Sequence, residues 1–139
     1  IVKRSFYYMK DRSSSKINFK LDTSEKAIFS FLNTQLFGWV IENIMRNAID
    51  ALQGKGEITV TIKDHSKNVI IDISDNGKGM KSSQLKTVFE PGYTTKLRGW
   101  GLGLSLVKRI VEDYHKGQVY ILHSELGKGS TFRISLLKS

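Results

Sequence analysis

The sequence predicts an α+β fold in which a mixed, largely antiparallel sheet carries its helices on one face. Two observations support this. Apolar residues recur at helical spacing in two long segments and alternate with polar residues in several short ones. The resulting order is strand, strand, helix, two strands, helix, loop, helix, two strands. Its helices are too few and wrongly placed for a repeating βαβ alternation. With 139 residues and no cysteine, the chain is one domain's worth of sequence. A disulfide scaffold, a thiolate metal site and a cysteine nucleophile are excluded. No apolar run is long enough to cross a membrane.

Residues 10–16 read as a polar linker. Ile17, Phe19 and Leu21 then alternate as in a half-buried strand, and residues 27–31 read as a second strand. Across 33–53, Leu36, Val40, Ile44, Met45, Ala48, Ile49 and Leu52 form a helical stripe. Asn33 or Thr34 caps its start, and Gly54 and Gly56 close it. Ile58, Val60 and Ile62 pair with Val69, Ile71 and Ile73 in a hairpin turning at 64–68. A short helix is expected over 82–88, then a loop over 89–100. A second long helix runs over 102–114 on Leu106, Val107, Ile110, Val111 and Tyr114, and Gly117 stops it. Val119 and Ile121 pair with Phe132, Ile134 and Leu136 in a closing hairpin around Gly127-Lys128-Gly129.

The net charge is +9, and residues 1–26 hold seven Lys or Arg against three acids. Basic residues there interleave with Phe6, Tyr7 and Tyr8, a composition that can bind single-stranded nucleic acid. No recognition motif accompanies it. Residues 1–16 are therefore read as a linker or the remnant of an upstream helix, and no nucleic-acid partner is expected.

Three segments are candidates for chemistry. Asn43 and Asn47 share a helix face, Asp50 follows on the same side, and Glu42 and Arg46 lie beside them. This is either ordinary surface polarity or a set of oxygen ligands for a hard cation such as Mg2+. Asp75-Asn76-Gly77-Lys78-Gly79-Met80 follows a strand, either as a simple turn or as a loop whose glycines let backbone approach a ligand. Asp75 can accept a hydrogen bond from an amine. Gly99-Trp100-Gly101-Leu102-Gly103-Leu104 opens a helix, either as a flexible entry or as an anion site built from backbone N–H groups. The preceding loop brings Thr94, Thr95 and Lys96 to that helix start, in the manner of a lid. His65, His115 and His123 show no triad or metal spacing.

Taken in order, these segments resemble the four boxes of the catalytic ATP-binding domain of bacterial sensor histidine kinases. That superfamily is shared with gyrase, Hsp90 and MutL. Glu42-Asn43-Ile44-Met45-Arg46-Asn47-Ala48 is similar to the N box, and Asp75-Asn76-Gly77-Lys78-Gly79-Met80 to the G1 box. Phe89-Glu90-Pro91-Gly92-Tyr93-Thr94-Thr95-Lys96 is similar to the F box, and residues 99–104 to the G2 box. The resemblance covers about residues 17–138 and implies a two-layer α/β sandwich of Bergerat type, with three helices on one face of the sheet. It departs from the family at Gly92-Tyr93, at Trp100, and at Asp50, where many kinases carry Lys.

The resemblance implies ATP and Mg2+ as ligands. Asn47 would ligate Mg2+, with Asn43 supporting the metal or the phosphates, and Arg46 and Asp50 would belong to the same site. Asp75 would accept from the adenine amine, Gly77 and Gly79 would allow close approach, and Met80 would lie along the base. Thr94, Thr95 and Lys96 would sit in the lid, with Gly99, Gly101, Leu102, Gly103 and Leu104 near the phosphates. Ser130 matches a small hydroxyl position on the adenine side. Glu42 is the N-box acid for a base or orienting role.

The implied reaction is transfer of the γ-phosphoryl of Mg-ATP to a histidine on a separate dimerisation domain, then to a response regulator. The sequence contains no phosphoacceptor H box and begins Ile-Val-Lys. It is read as a catalytic domain, residues 17–139, cut from a larger homodimeric kinase. The fragment itself would be monomeric and cytoplasmic, and the full protein anchored in the inner membrane. An anti-sigma-type serine kinase is the rival with the same site, and a basic nucleic-acid-binding module the rival of another class.

Overall fold

The computed structural model describes residues 1–23, 28, 30–90 and 103–139. In chain order the elements are helix α1 (Val2–Asp11), strand β1 (Ile17–Thr23), helix α2 (Thr34–Leu52), strands β2 (Gly56–His65) and β3 (Asn68–Asp75), and a one-turn helix α3 (Ser82–Leu85). Helix α4 (Gly103–Arg109) runs into a π-helical turn (Ile110–Tyr114), and strands β4 (Gln118–Glu125) and β5 (Gly129–Leu137) close the chain. The sheet order is β1-β2-β3-β5-β4. Only β1 and β2 pair in parallel, which requires the crossover that α2 supplies. The remaining neighbours are antiparallel. The mixed, mostly antiparallel sheet predicted from the sequence is the one found.

Strand alternation sorts the side chains onto two faces. Ile58, Val60, Val69, Ile71, Ile73, Val119, Phe132, Ile134 and Leu136 are buried on one face. Against them α2 buries Phe37, Val40, Ile41, Ile44, Met45, Ala48 and Leu52, and α4 with its π turn buries Val107, Ile110 and Val111. The other face is polar. At its centre Arg133 grips Asp72 with two bonds of 2.8 Å each.

The amino-terminal segment, expected as a linker or the remnant of an upstream helix, is helical and docked: Val2, Phe6 and Met9 are buried, and Phe6 meets Phe19 edge-on at 5.9 Å. Several local expectations are corrected. In the expected second strand, Ile28, Ser30 and Phe31 show no strand pairing, and Ala27 and Phe29 lie outside the described residues. Ser30 Oγ instead donates to the Leu137 carbonyl at 2.6 Å, so the segment runs past the far end of β5 on its way to α2. The β2–β3 turn is shorter than 64–68, because His65 and Asn68 still pair and Ser66 takes φ 63. Helix α3 stops at Leu85 rather than 88, where β-branched Thr87 and Val88 follow as turns. The reversal after α2 falls on Gln53, at φ 55, one residue before Gly54.

The burial of α1 gives a direct test. Phe6→Ala is expected to cost about 3–5 kcal/mol in denaturant unfolding, because Phe6 leaves a cavity between α1, α2 and β1. Tyr7→Ala, at a side chain 48% exposed, is expected to cost under about 1 kcal/mol.

Candidate functional site

Helix α2 starts on Asn33, whose side chain accepts from the Leu36 N–H at 3.0 Å. Its apolar stripe faces the sheet, and this fixes the rotation that places Asn47, Asp50 and Ala51 over one end of the sheet. There they line a cavity of about 170 Å³ together with Asp75, Lys78, Gly79, Met80, Gln84, Val88 and Ser130. Two of the boxes read from the sequence, the N box and the G1 box, therefore converge.

The loop after β3 is held by bare backbone. A Cβ on Gly77 would run into the Ala51 carbonyl at the end of α2, and one on Gly79, at φ +68, into the Glu125 carbonyl of β4. Lys78 N–H donates to Ala51 O at 3.0 Å, and Gly127 N–H donates to Lys78 O at 2.8 Å. The two glycines, expected to admit a ligand, thus let the chain pass between its own neighbours. Gly79 also lines the cavity. Beyond them Met80 N–H donates to Ser124 Oγ at 2.9 Å, and Ser124 Oγ lies 2.7 Å from Ser130 Oγ.

Asp75 ends β3 with Gly77 N–H donating to its Oδ1 at 2.9 Å. Burial pushes its carboxyl above the ordinary carboxylate range, while backbone hydrogen bonds from Gly77 and Ser130 pull the other way and only partly offset it. The result is a partly buried acceptor at the edge of the cavity.

The other predicted residues are distributed as follows. Asn43 Nδ2 donates to the Trp39 carbonyl at 2.8 Å, and its Oδ1 lies 3.6 Å from where a Gly103 Cβ would stand. The N-box helix thus meets the start of α4, where Leu104 packs partly buried against the core. Glu42 lies apart, in a cleft between α1 and α2 with Arg4, Ser5, Tyr8 and Gln35. Arg46 is exposed in a groove with Arg12, Ser13 and Ser14, and Asp50 borders both that groove and the cavity. Thr94, Thr95, Lys96, Gly99, Gly101 and Leu102 lie outside the described residues.

Sequence reasoning missed Ala51, Lys78, Gln84 and Val88 as lining residues. Lys78 stands between the two glycines and was the one of these with a signal. His115 holds two site-bearing helices together: its Nε2 accepts from Asn33 N–H at 3.0 Å, and its Nδ1 is 2.9 Å from the Ile110 carbonyl. Among the described residues no three His, Cys, Asp or Glu are grouped to hold a metal, and no helix is long and apolar enough to cross a membrane. A magnesium ion here would rely on few protein oxygens and on its ligand's phosphates, which is its habit. The amide and carboxylate oxygens of Asn43, Asn47 and Asp50 are of the hard type it takes.

A mixed sheet with helices on one face, and a cavity where α2 meets the loop after β3, make an α+β sandwich domain with a ligand-sized site. The chain belongs to the histidine kinase-, DNA gyrase B-, and HSP90-like ATPase family, whose profile matches residues 33–139. Within it the kinship is with sensor histidine kinases. Sporulation kinase E of Bacillus subtilis (strain 168) is 46% identical over 101 residues, covering 70% of this chain and 13% of that protein. Sensor histidine kinase ZraS of Escherichia coli (strain K12) is 43% identical over 97 residues, covering 70% of this chain and 20% of that one. The chain thus spans well under a quarter of the length of either relative. The catalytic domain of histidine kinase ThkA has the same fold, with TM-score 0.88 at 25% identity over 99% of this chain and 90% of its own.

The buried carboxyl makes a signed prediction about the free domain. A raised folded-state pKa means that ionised Asp75 costs stability above that pKa, and the cost fades as pH falls through it. Asp75→Asn is expected to melt at or above the wild-type temperature at pH 7. Its advantage should shrink as the pH is lowered through the Asp75 pKa in thermal denaturation. A lower melting temperature at pH 7 would show that the Gly77 and Ser130 bonds outweigh burial.

Proposed function

We propose that this domain binds ATP with Mg2+ and presents the γ-phosphoryl group to a histidine on a separate dimerisation domain, for relay to a response regulator. The observation that carries this reading is the convergence of Asp75, Met80 and Ser130 with Asn47 and Asp50 on one cavity. In that reading the Asp75 carboxylate accepts from the adenine exocyclic amine, and Met80 lies along the base. The phosphates run along α2 toward Gly103, past Asn47 and Asn43. Asn47, Asn43 and Asp50 would hold the metal, which neutralises charge on the phosphate oxygens. Phosphoryl transfer asks mainly for such positioning and charge balance.

The cleft holding Glu42 opens between α1 and α2, which supports a role for Glu42 toward an acceptor rather than toward the base. Residues 1–16 are proposed as the end of the upstream dimerisation helix, and 17–139 as the catalytic domain. The helical form of α1 supports that reading, and its buried Val2, Phe6 and Met9 pack it onto the core of the catalytic domain. The whole protein is proposed to be a homodimer anchored at the inner membrane, with this domain cytoplasmic.

Calorimetry on the domain is expected to show Mg-dependent ATP and ADP binding. Asp75→Asn should weaken it by roughly one to two decades, the value of a charge-assisted hydrogen bond of about 1.5–3 kcal/mol. Affinity should also fall as pH drops through the raised Asp75 pKa, since protonation removes the acceptor, and the Asn variant should lose that dependence. Equal affinity for the variant would sink the assigned role.

Asn47→Ala should separate binding from transfer. Mixed with its dimerisation domain, the variant is expected to lose acid-labile phosphohistidine formation far more than ADP affinity. A parallel fall in both, or in neither, removes Asn47 from the metal's neighbourhood. Acid-stable phosphoserine in place of phosphohistidine would move the domain to the serine-kinase branch.

A further inference from the structure

We propose that Ser124, which does not line the cavity, sets its base selectivity by fixing the direction of the Ser130 hydroxyl. The inference rests on reading the cavity as a base pocket. Ser124 faces Ser130 across the β4–β5 ladder. Its Oγ accepts the Met80 N–H at 2.9 Å, stands 2.7 Å from Ser130 Oγ, and is 3.4 Å from the Gly129 carbonyl.

The Ser124 hydroxyl has one proton for two acceptors. At 2.7 Å either hydroxyl can donate to the other; we assign the donor role to Ser124, whose alternative acceptor, the Gly129 carbonyl, lies at the outer limit of 3.4 Å. Ser130 then keeps its own proton for the side away from Ser124, where it lines the cavity. Ser130 is also the cross-strand partner of Asp75. The cavity edge therefore offers a carboxylate acceptor next to a hydroxyl donor.

That order of groups distinguishes purines. Adenine presents an exocyclic N–H donor beside a ring-nitrogen acceptor, and guanine presents a carbonyl acceptor beside a ring N–H donor. Asp75 supplies one half of the match. Ser124 supplies the other half through Ser130, and it ties the Met80 end of the loop to the same hairpin. Without the Ser124 hydroxyl, Ser130 is free to rotate and accept, and the bias against guanine weakens.

The test is calorimetric titration of the chain with Mg-ATP and Mg-GTP for wild type, Ser124→Ala, Ser124→Thr and Asp75→Asn. Ser124→Ala is expected to lose about three- to tenfold in ATP affinity, the worth of one hydrogen bond, with GTP little changed. Ser124→Thr, which keeps the hydroxyl, should restore the ATP-to-GTP ratio. Ser124→Cys, near-isosteric with a weak donor, should shift the ratio in the same direction as alanine and serves if the alanine variant folds poorly. An unchanged ratio in the alanine and cysteine variants, or equal losses for both nucleotides, overturns the proposal. If Asp75→Asn weakens ATP while the Ser124 variants keep the ratio, the base pocket stands and only the Ser124 role falls. If neither residue affects nucleotide binding, the pocket reading fails and takes this inference with it.

Discussion

The site depends on one steric constraint: the chain from Gly77 to Gly79 threads between two carbonyls, Ala51 on α2 and Glu125 on β4. Hydrogen bonds from Lys78 N–H to Ala51 O and from Gly127 N–H to Lys78 O close the seam on both sides. The spacing between the end of α2 and the β4–β5 hairpin is thereby set by the thickness of bare backbone. Everything that lines the cavity is measured from that seam. Asn47 and Asp50 stand on one side of it, Ser130 on the other, and Met80 follows directly. A side chain at either glycine would have to push two elements apart, so the cavity's width is a backbone property before it is a side-chain one.

Helix α2 carries both the core and the site, and the first fixes the second. With Phe37, Ile41, Ile44, Met45 and Ala48 sunk against the sheet, its rotation has no freedom left, and the edge bearing Asn43 and Asn47 is aimed by packing alone. The ends of the site helices are pinned far from the cavity. Asn33 N–H donates to His115, and His115 reaches back to Ile110, so the start of α2 and the end of the α4 helix meet at one imidazole that Phe37 touches edge-on at 5.6 Å. Midway along α2, Asn43 faces Gly103 at the start of α4.

The core was legible in the sequence because it is periodic. The α2 stripe and the alternating strands need no knowledge of partners to be seen. The failures came where partners decide. Val2, Phe6 and Met9 lie at helical spacing, but the run is short and crowded with Lys, Arg and Tyr, and only docking on α2 gives it a buried face. The segment at 27–31 reads as a strand, yet its described residues Ile28, Ser30 and Phe31 join no ladder, and Ser30 bonds the Leu137 carbonyl through its hydroxyl instead. In the site, the N and G1 boxes point to segments that line one cavity but do not separate neighbours around a helix. Glu42 and Arg46 share the N box with Asn47, but 100° per residue turns them toward α1. Gln84 and Val88 come from a single turn followed by irregular chain, too short for a periodic signal.

Strand β3 shows how the fold treats its carboxylates differently by face. Asp72 and Asp75 lie three apart, so alternation sends them to opposite sides of the sheet. Asp72 reaches the open face and is answered there by the two-pronged grip of Arg133. Asp75 falls on the helix-covered face with Ile71 and Ile73, where it receives only backbone N–H groups and burial disfavours its charge. An arginine opposite Asp75 would stabilise the free domain and fill the cavity edge at the same time. Among the described residues no cation pairs with Asp75, which leaves a partly buried acceptor whose bonds are strengthened by the lower dielectric around it. The cost to the free fold and the strength of the proposed ligand contact therefore have one origin, the inward register of a single residue at the end of β3.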